Sequence, residues 1–247
     1  MAEPEEIVRR IKEYFSRSRD MEGMKVMITA GPTCERMDPV RYIGNYSSGK
    51  MGFALAEECA ARGAEVILVA GPVSLATENP AIRRVDVESA VEMCEAAEKA
   101  FADADVAIFA AAVADYRPAE PAESKIKREN AEEMTVRMVR NPDIAARCGM
   151  AKRSRQTTVG FALETDNERL NAAHKLEKKN LDMVVMNSLR DNGAGFRTDT
   201  NRITIFGRGG SVTEYPLKSK REVARDIVDA MLLQRRGADA TADLSDN

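Results

Sequence analysis

The chain has 247 residues, 44% hydrophobic and 31% charged, which suits an ordinary globular protein with one sizeable core, or one core plus a small excursion. Its formal charge of −3 gives no basic field and argues against nucleic acid as a main partner, and no apolar run approaches the roughly 20 residues that a membrane span needs. The acidic start "MAEPEE" is unlike a secretion signal, and the scattered Cys34, Cys59, Cys94 and Cys148 lack the spacing of a zinc site, so reduced thiols in a cytoplasmic protein are expected.

In chain order, "EEIVRRIKEYF" places Ile7, Val8, Ile11, Tyr14 and Phe15 on one helical face, and "SRSRDMEG" reads as a polar linker, so residues 1–23 are expected to precede the domain proper. "MKVMITAG" is a short apolar run of the kind found in buried parallel strands. "SSGKMGFALAEECAARGA" is helical, with a serine as the expected N-cap and Gly63 as the stop. "EVILVAG" is a second strand, "VESAVEMCEAAEKAF" a helix, and "DVAIFAAAVAD" contains a third strand. After a polar excursion over residues 116–134, "NPDIAARCGM" starts a helix, followed by strand "TTVGFALE", helix "NERLNAAHKLEKKN" and strand "LDMVVMN". "NRITIF" and "SVTEYPL" flank "GRGG" as an edge hairpin. "SKREVARDIVDAMLLQRR" closes the domain at residue 236, and residues 237–247 read as a disordered, solvated tail. Alternating strands and helices predict an α/β fold with a Rossmann-like, doubly wound, mostly parallel sheet. An excursion as long as 116–134 in such a domain points to an active-site loop.

The motifs are individually weak. "GNYSSGKM" approaches the phosphate-binding P-loop, but Met51 occupies the position of the magnesium-ligating hydroxyl, and the preceding "DPVRYI" is no buried strand. What remains is Ser47, Ser48 and Gly49 at a helix start, where free N–H groups suit a phosphate or carboxylate, or where the serines merely cap. Tyr46 and Lys50 match the Tyr-x-x-x-Lys pair of short-chain dehydrogenases, yet they come too early, and "TAGPTCERMD" lacks the dinucleotide glycine pattern. Asp115 ends a strand, where it suits a ribose, a base, a metal or a loop cap. Lys125 and Lys127 sit on the polar excursion, either solvated or closing over a triphosphate. Lys175 and Lys179 share a helical face, and His174 is the single histidine, which excludes multi-histidine metal sites.

In order, "TAGPT", "DPVRYIGNYSSGKMGFALAE", "VAGPVSL", "AAVADYRP", "KIK", "NPDI" and "VGFALET" closely resemble the phosphopantothenate–cysteine ligase family, the second half of the bacterial coenzyme A biosynthesis flavoprotein, from about Met24 to about Arg235. The resemblance implies that 4′-phosphopantothenate reacts with CTP to give an acyl-cytidylate and pyrophosphate, and that L-cysteine then displaces CMP. It implies Asn45 and Lys125 as catalytic residues, with Asn45 handling the acyl intermediate and Lys125 neutralising charge at the α-phosphate. It puts Ala111, Ala112, Asp115, Lys125, Asn141, Pro142, Asp143, Ile144, Phe161, Lys175 and Lys179 at the nucleotide. Gly31, Asn45, Ser47, Ser48, Gly49 and Lys50 would hold the acid substrate. Mg2+ is expected to be held mainly by the triphosphate, and a homodimer to present the lysine-bearing excursion to the neighbouring site.

Three positions depart from the family pattern: Gly44 stands where serine is expected, Tyr46 where histidine is common, and Cys34 where arginine is frequent. With 23 residues ahead of the first strand, the expectation is no flavin and no decarboxylation by this chain, and a separate decarboxylase as a partner. The competing readings are an NAD(P)-dependent Rossmann oxidoreductase and a non-catalytic nucleotide-binding subunit.

Overall fold

A computed structural model of the chain describes residues 18–127, 133–164, 168–188 and 198–245. The helix expected over residues 7–15 lies outside these, as do residues 128–132 of the excursion and the last two residues of the tail.

The elements run β1 (Lys25–Ala30), β2 (Cys34–Arg36), β3 (Tyr42–Gly44), α1 (Lys50–Ala61), β4 (Glu65–Ala70), β5 (Ile82–Asp86), α2 (Ala90–Phe101), β6 (Val106–Phe109), β7 (Tyr116–Pro118), β8 (Met138–Arg140), α3 (Ile144–Met150), β9 (Thr157–Glu164), α4 (Glu168–Lys178), β10 (Met183–Ser188), β11 (Thr200–Gly207), β12 (Val212–Ser219) and α5 (Lys220–Ser245). The main sheet has eight strands in the order β12-β11-β10-β9-β6-β1-β4-β5. The pairs from β5 through β10 are parallel, and the expected hairpin β11–β12 completes the edge with antiparallel pairs.

The central strands are uninterrupted apolar runs because helices cover both faces. Side chains alternate along a strand, so β1 is divided between two cores. Val26, Ile28 and Ala30 join Leu55 of α1 and Ile227 of α5 on one face. Met27 joins Met93 and Phe101 of α2 on the other. Ile28, Leu55 and Ile227 are each 0% exposed, a burial that contributes about 2 kcal/mol per side chain.

From β1 the chain winds through α1 to β4 and β5 on one side, then returns through α2 to β6 on the other side of β1. That reversal leaves a crevice beyond the carboxyl ends of β1 and β6, the place where open α/β sheets bind ligands.

Four details differ from the sequence reading. Helix α1 is capped by Gly49 in the left-handed region (φ 77°), with no side-chain cap, instead of by a serine. The tail is helical through Ser245, since its alanine-rich run extends an existing helix without a new nucleation cost. Met21, assigned to the linker, is fully buried in the core and its N–H donates to the Arg62 carbonyl at 3.2 Å. Strand β5 was missed because "IRRVD" is an edge strand with Ile82 its buried residue. The excursion stays out of the main sheet, as expected, although its first three residues pair with β8 in a two-stranded ribbon.

Candidate functional site

The crevice is floored by the segment that follows β6, and the "TAGPT" residues fix that segment. The Thr29 hydroxyl accepts from the Ala111 N–H at 3.3 Å and the Thr33 hydroxyl from the Ala114 N–H at 3.0 Å. The Gly31 carbonyl accepts from the Ala112 N–H at 2.8 Å. Asn45, in the loop between β3 and α1, donates from Nδ2 to the Ala112 and Val113 carbonyls at 3.0 and 3.2 Å. Since carbonyls only accept, these contacts assign the amide orientation and leave Oδ1 as the remaining acceptor. Asn45 therefore ties two loops together, and the polar atom that these two bonds leave over is an acceptor.

Two cavities open on this floor. The first, about 700 Å3, is lined by Asp115, Asn141, Asp143, Phe161, Lys175 and Lys179, with Ala111, Pro142 and Ile144. Arg140 and Lys178 add further positive charge to its wall. The second, about 410 Å3, is lined by Asn45, Ser47, Ser48, Gly49, Lys50 and Ala112, together with Met51, Asn187, Asn201 and Lys220. Ala111, Val113, Asp115, Phe161 and Lys175 belong to both, so the cavities share a wall. Of the residues expected at a nucleotide, Asn141, Pro142, Asp143, Ile144 and Lys179 line the first cavity alone and Ala111, Asp115, Phe161 and Lys175 line both, whereas Asn45, Ser47, Ser48, Gly49 and Lys50, expected at the acid, line the second alone. Ala112, grouped with the nucleotide, lines the second cavity, and Gly31 lines neither: it acts from behind through its carbonyl.

In the first cavity Asn141 is 7% exposed, and its side chain is engaged within the protein: Nδ2 donates to the Ala114 carbonyl at 2.8 Å, and Oδ1 accepts from Arg117 at 3.0 Å. Asp143 caps α3 by accepting from the Ala146 N–H at 3.1 Å and pairs with Lys179 Nζ at 3.0 Å. Main-chain groups of residues 141–144 are therefore what this segment offers to a ligand, while the lysines of α4 supply charge.

In the second cavity Lys50 Nζ donates to Asp199 Oδ1 at 2.6 Å, and this bond lowers the Asp199 carboxyl below its ordinary range. Tyr46 is 77% exposed, so the Tyr46/Lys50 pair has no dehydrogenase-like setting. The fit of α1 against the sheet is tight at Gly52, where an added Cβ would lie 2.5 Å from the Ala30 Cβ.

Lys125 lines neither cavity. It is exposed, beside Ile126, whose N–H donates to Asp38 at 3.1 Å and whose carbonyl accepts from Arg41 at 2.8 Å. Hydrogen bonds from Arg41, with the N–H groups of Val40, Ile126 and Arg41, hold the Asp38 carboxyl well below the usual carboxylate range. The excursion is thereby fastened to the β2–β3 hairpin. Lys127 and His174 are also exposed.

Sequence reasoning missed Thr29, Thr33, Asn187, Asn201 and Lys220. The two threonines carried a signal, hydroxyls at the end of a buried apolar strand. Asn187, Asn201 and Lys220 carried none, since nothing local distinguishes them from solvated positions.

Residues 21–234 match the family model described as DNA/pantothenate metabolism flavoprotein C-terminal domain. A cysteine/cysteine sulfinic acid decarboxylase from an unknown prokaryotic organism is 52% identical over 236 residues, 94% of this chain and 66% of that protein. The coenzyme A biosynthesis bifunctional protein CoaBC of Haemophilus influenzae is 47% identical over 232 residues, 94% of this chain and 57% of that protein. A crystal structure of the C-terminal domain of coenzyme A biosynthesis bifunctional protein CoaBC matches with a TM-score of 0.75 at 40% identity, covering 89% of this chain and 100% of that one. The chain spans no more than 66% of the length of either curated relative.

Proposed function

The chain belongs to the family of DNA/pantothenate metabolism flavoprotein C-terminal domains, and on that footing we propose that it joins 4′-phosphopantothenate to L-cysteine with CTP as the activating co-substrate. The observation that carries this reading is the pair of cavities with a common wall at Ala111, Val113, Asp115, Phe161 and Lys175. A reaction between two bound metabolites needs two compartments that open onto each other, and holding the partners there supplies the proximity term of the rate.

The substrate carboxylate, ionised near neutral pH, attacks the α-phosphorus of CTP; the P–O bond to the β-phosphate breaks and pyrophosphate leaves. The cysteine amine then attacks the acyl carbon of the acyl-cytidylate, the acyl–oxygen bond breaks, and CMP leaves with the electron pair while the amine loses its proton. Neither step requires a protein nucleophile, which suits a chain with a single, exposed histidine. Lys175 and Lys179 serve the triphosphate, and main-chain groups of residues 141–144 serve the cytosine edge. The Asn45 oxygen accepts from the incoming amine, a role fitted to the atom left over once Nδ2 has bonded to Ala112 and Val113. Lys125 acts at the α-phosphate from the tethered excursion, in a homodimer where one copy's segment serves the other's site.

Among the described residues no three His, Cys, Asp or Glu side chains converge. A magnesium ion fits this donor set only if phosphate oxygens dominate its coordination, with Asp115 the carboxylate on the shared wall. Bound in that way, the ion would neutralise charge on the triphosphate. No electrons are transferred in either half-reaction, so the reading uses no flavin. The reading places the reaction in the cytoplasm.

The test is pyrophosphate release by the purified chain with 4′-phosphopantothenate, comparing CTP with ATP, with and without cysteine. Release with CTP before cysteine is added is the expected result; absence of release under every condition overturns the ligase. The name of the relative 52% identical favours a second reading, decarboxylation of cysteine or its sulfinic acid. Carbon dioxide evolved from either amino acid, without nucleotide, would select it.

A further inference from the structure

One wall of the first cavity is formed by residues 140–146, and a side chain that fixes this wall stands outside the cavity. Arg117, on β7, lines a separate cavity of about 280 Å3 beside Cys34, Glu35 and Glu88, and does not line the first. In the β7–β8 ribbon Arg117 pairs with Val139, which places its side chain near the two residues that follow. Its Nη1 donates to the Arg140 carbonyl and to Asn141 Oδ1, each at 3.0 Å.

Asn141 is held at three points. Its N–H donates to the Asp115 carbonyl at 2.8 Å, its Nδ2 donates to the Ala114 carbonyl at 2.8 Å, and its Oδ1 accepts from Arg117. Ala114 is fixed in turn, since its N–H donates to the Thr33 hydroxyl at 3.0 Å. Hydrogen bonds thus run without a break from Thr33, through the floor after β6, to the head of the 141–144 segment. Beyond that point the Pro142 ring restricts its own backbone and that of Asn141, and Asp143 is already the N-cap of α3. Once Asn141 is set, residues 142–144 have few torsions left.

The guanidinium supplies the charge-assisted bond of this set. Without it, Oδ1 of a residue 7% exposed loses its donor, and turning the amide to find another breaks the bond to Ala114. Lys175 and Lys178 line the same cavity from α4, a separate element.

We infer that Arg117 is a positioning residue for the nucleoside end of the first cavity: it locks the Asn141 side chain, and through it the main-chain groups of residues 142–144, without touching the ligand. The identity of that ligand is taken from the ligase reading. Hydrogen-bond geometry set by Arg117 governs the base, and the cations of α4 govern the phosphates.

Calorimetric titration of the full chain with CMP and with inorganic tripolyphosphate tests this division, because the first probe carries the base and the second carries only phosphates. Arg117→Met, which keeps an apolar stem and removes the donor, is expected to weaken CMP about tenfold and to leave tripolyphosphate within about twofold. Arg117→Lys recovers most of the CMP affinity, since both bonds leave from one nitrogen. Asn141→Ala gives a loss of similar size, and the double variant loses no more than either single one, as follows when one residue acts through the other. Should Arg117→Met not fold, Arg117→Gln, which can keep one of the two bonds, shows a smaller loss confined to CMP. Equal losses for both probes, no loss in a folded variant, or additive losses in the double variant overturn the positioning role. Pyrophosphate release separates it from the reading it rests on. Turnover without a selective loss overturns the positioning role alone, and a selective loss without wild-type turnover overturns the ligase alone. A wild type that binds neither probe overturns both.

Discussion

Apart from Thr29 on β1, the first cavity takes its polar groups from residues 115–179, carried by consecutive elements from the end of β6 to the end of α4. The second joins residues 45–52 to Asn187, Asn201 and Lys220, so that Lys50 meets Asp199 across 149 positions of sequence. Its charge is also distributed differently. In the first, Lys179 is matched by Asp143 at 3.0 Å on the cavity wall; in the second, the buried Lys220 donates to the Thr198 carbonyl, and the nearby Asp199 carboxylate is paired with Lys50. The contrast teaches that a compartment built from neighbouring elements can be recognised by motif, while one closed by the edge hairpin and last helix needs the assembled sheet.

Substitutions at the shared floor, in each compartment and far from both sharpen that contrast. The largest effect is expected at Asn45. A carboxylate there cannot donate to Ala112 and Val113 and repels their carbonyls, so Asn45→Asp should slow amide formation by roughly 100-fold while slowing activation less. Acyl-cytidylate should accumulate under mass spectrometry; equal slowing of both steps would remove the role assigned to Asn45. Gly52→Val comes next. Its Cβ would meet Ala30 at 2.5 Å and force α1 off β1, costing about 3 kcal/mol and lowering Tm by about 6–12 °C in a calorimetric scan. Because α1 begins in the second cavity, the acid should lose affinity before CTP does.

Lys179→Ala is expected to raise KM for CTP about tenfold and leave KM for the acid unchanged. A change confined to the acid would reverse the assignment of compartments. The smallest effect belongs to the cysteines, all four free and buried. Burial disfavours the thiolate and pushes the Cys59 and Cys148 thiols up to about 12, so at pH 8 almost no thiolate forms. Alkylation of the native protein should be slow and should alter neither KM, whereas denaturant should expose all the thiols. Rapid labelling with loss of activity would show that a cysteine serves one of the cavities.

Much of the fold was legible because buried parallel strands are apolar at every position and their helices amphipathic, a pattern that local sequence carries. Strand β5 was illegible for the same reason: an edge strand such as "IRRVD" needs little apolar surface. The tail was misread because alanine and aspartate alternate without an apolar face, yet helix α5 was already nucleated ahead of them. At the site, "AAVADY" and "NYSSGKMG" were visible as strand-end and helix-start chemistry. What they touch within the protein was not: the Asn45 amide bonds to the backbone of residues 112 and 113, a contact that no local pattern records.

The sequence by itself determined an alternating α/β chain with a mostly parallel sheet, the family of the domain and the strand-end and helix-start segments that line the crevice. Periodicity and short-range motifs record which side chains are buried and which backbone groups are left open. The tertiary structure alone decided that the motif residues line two cavities with one wall, and that Asn187, Asn201 and Lys220 complete the lining of the second. The reversal of strand order between β1 and β6 brings those distant residues together, and pairing across a sheet leaves no mark in the local sequence.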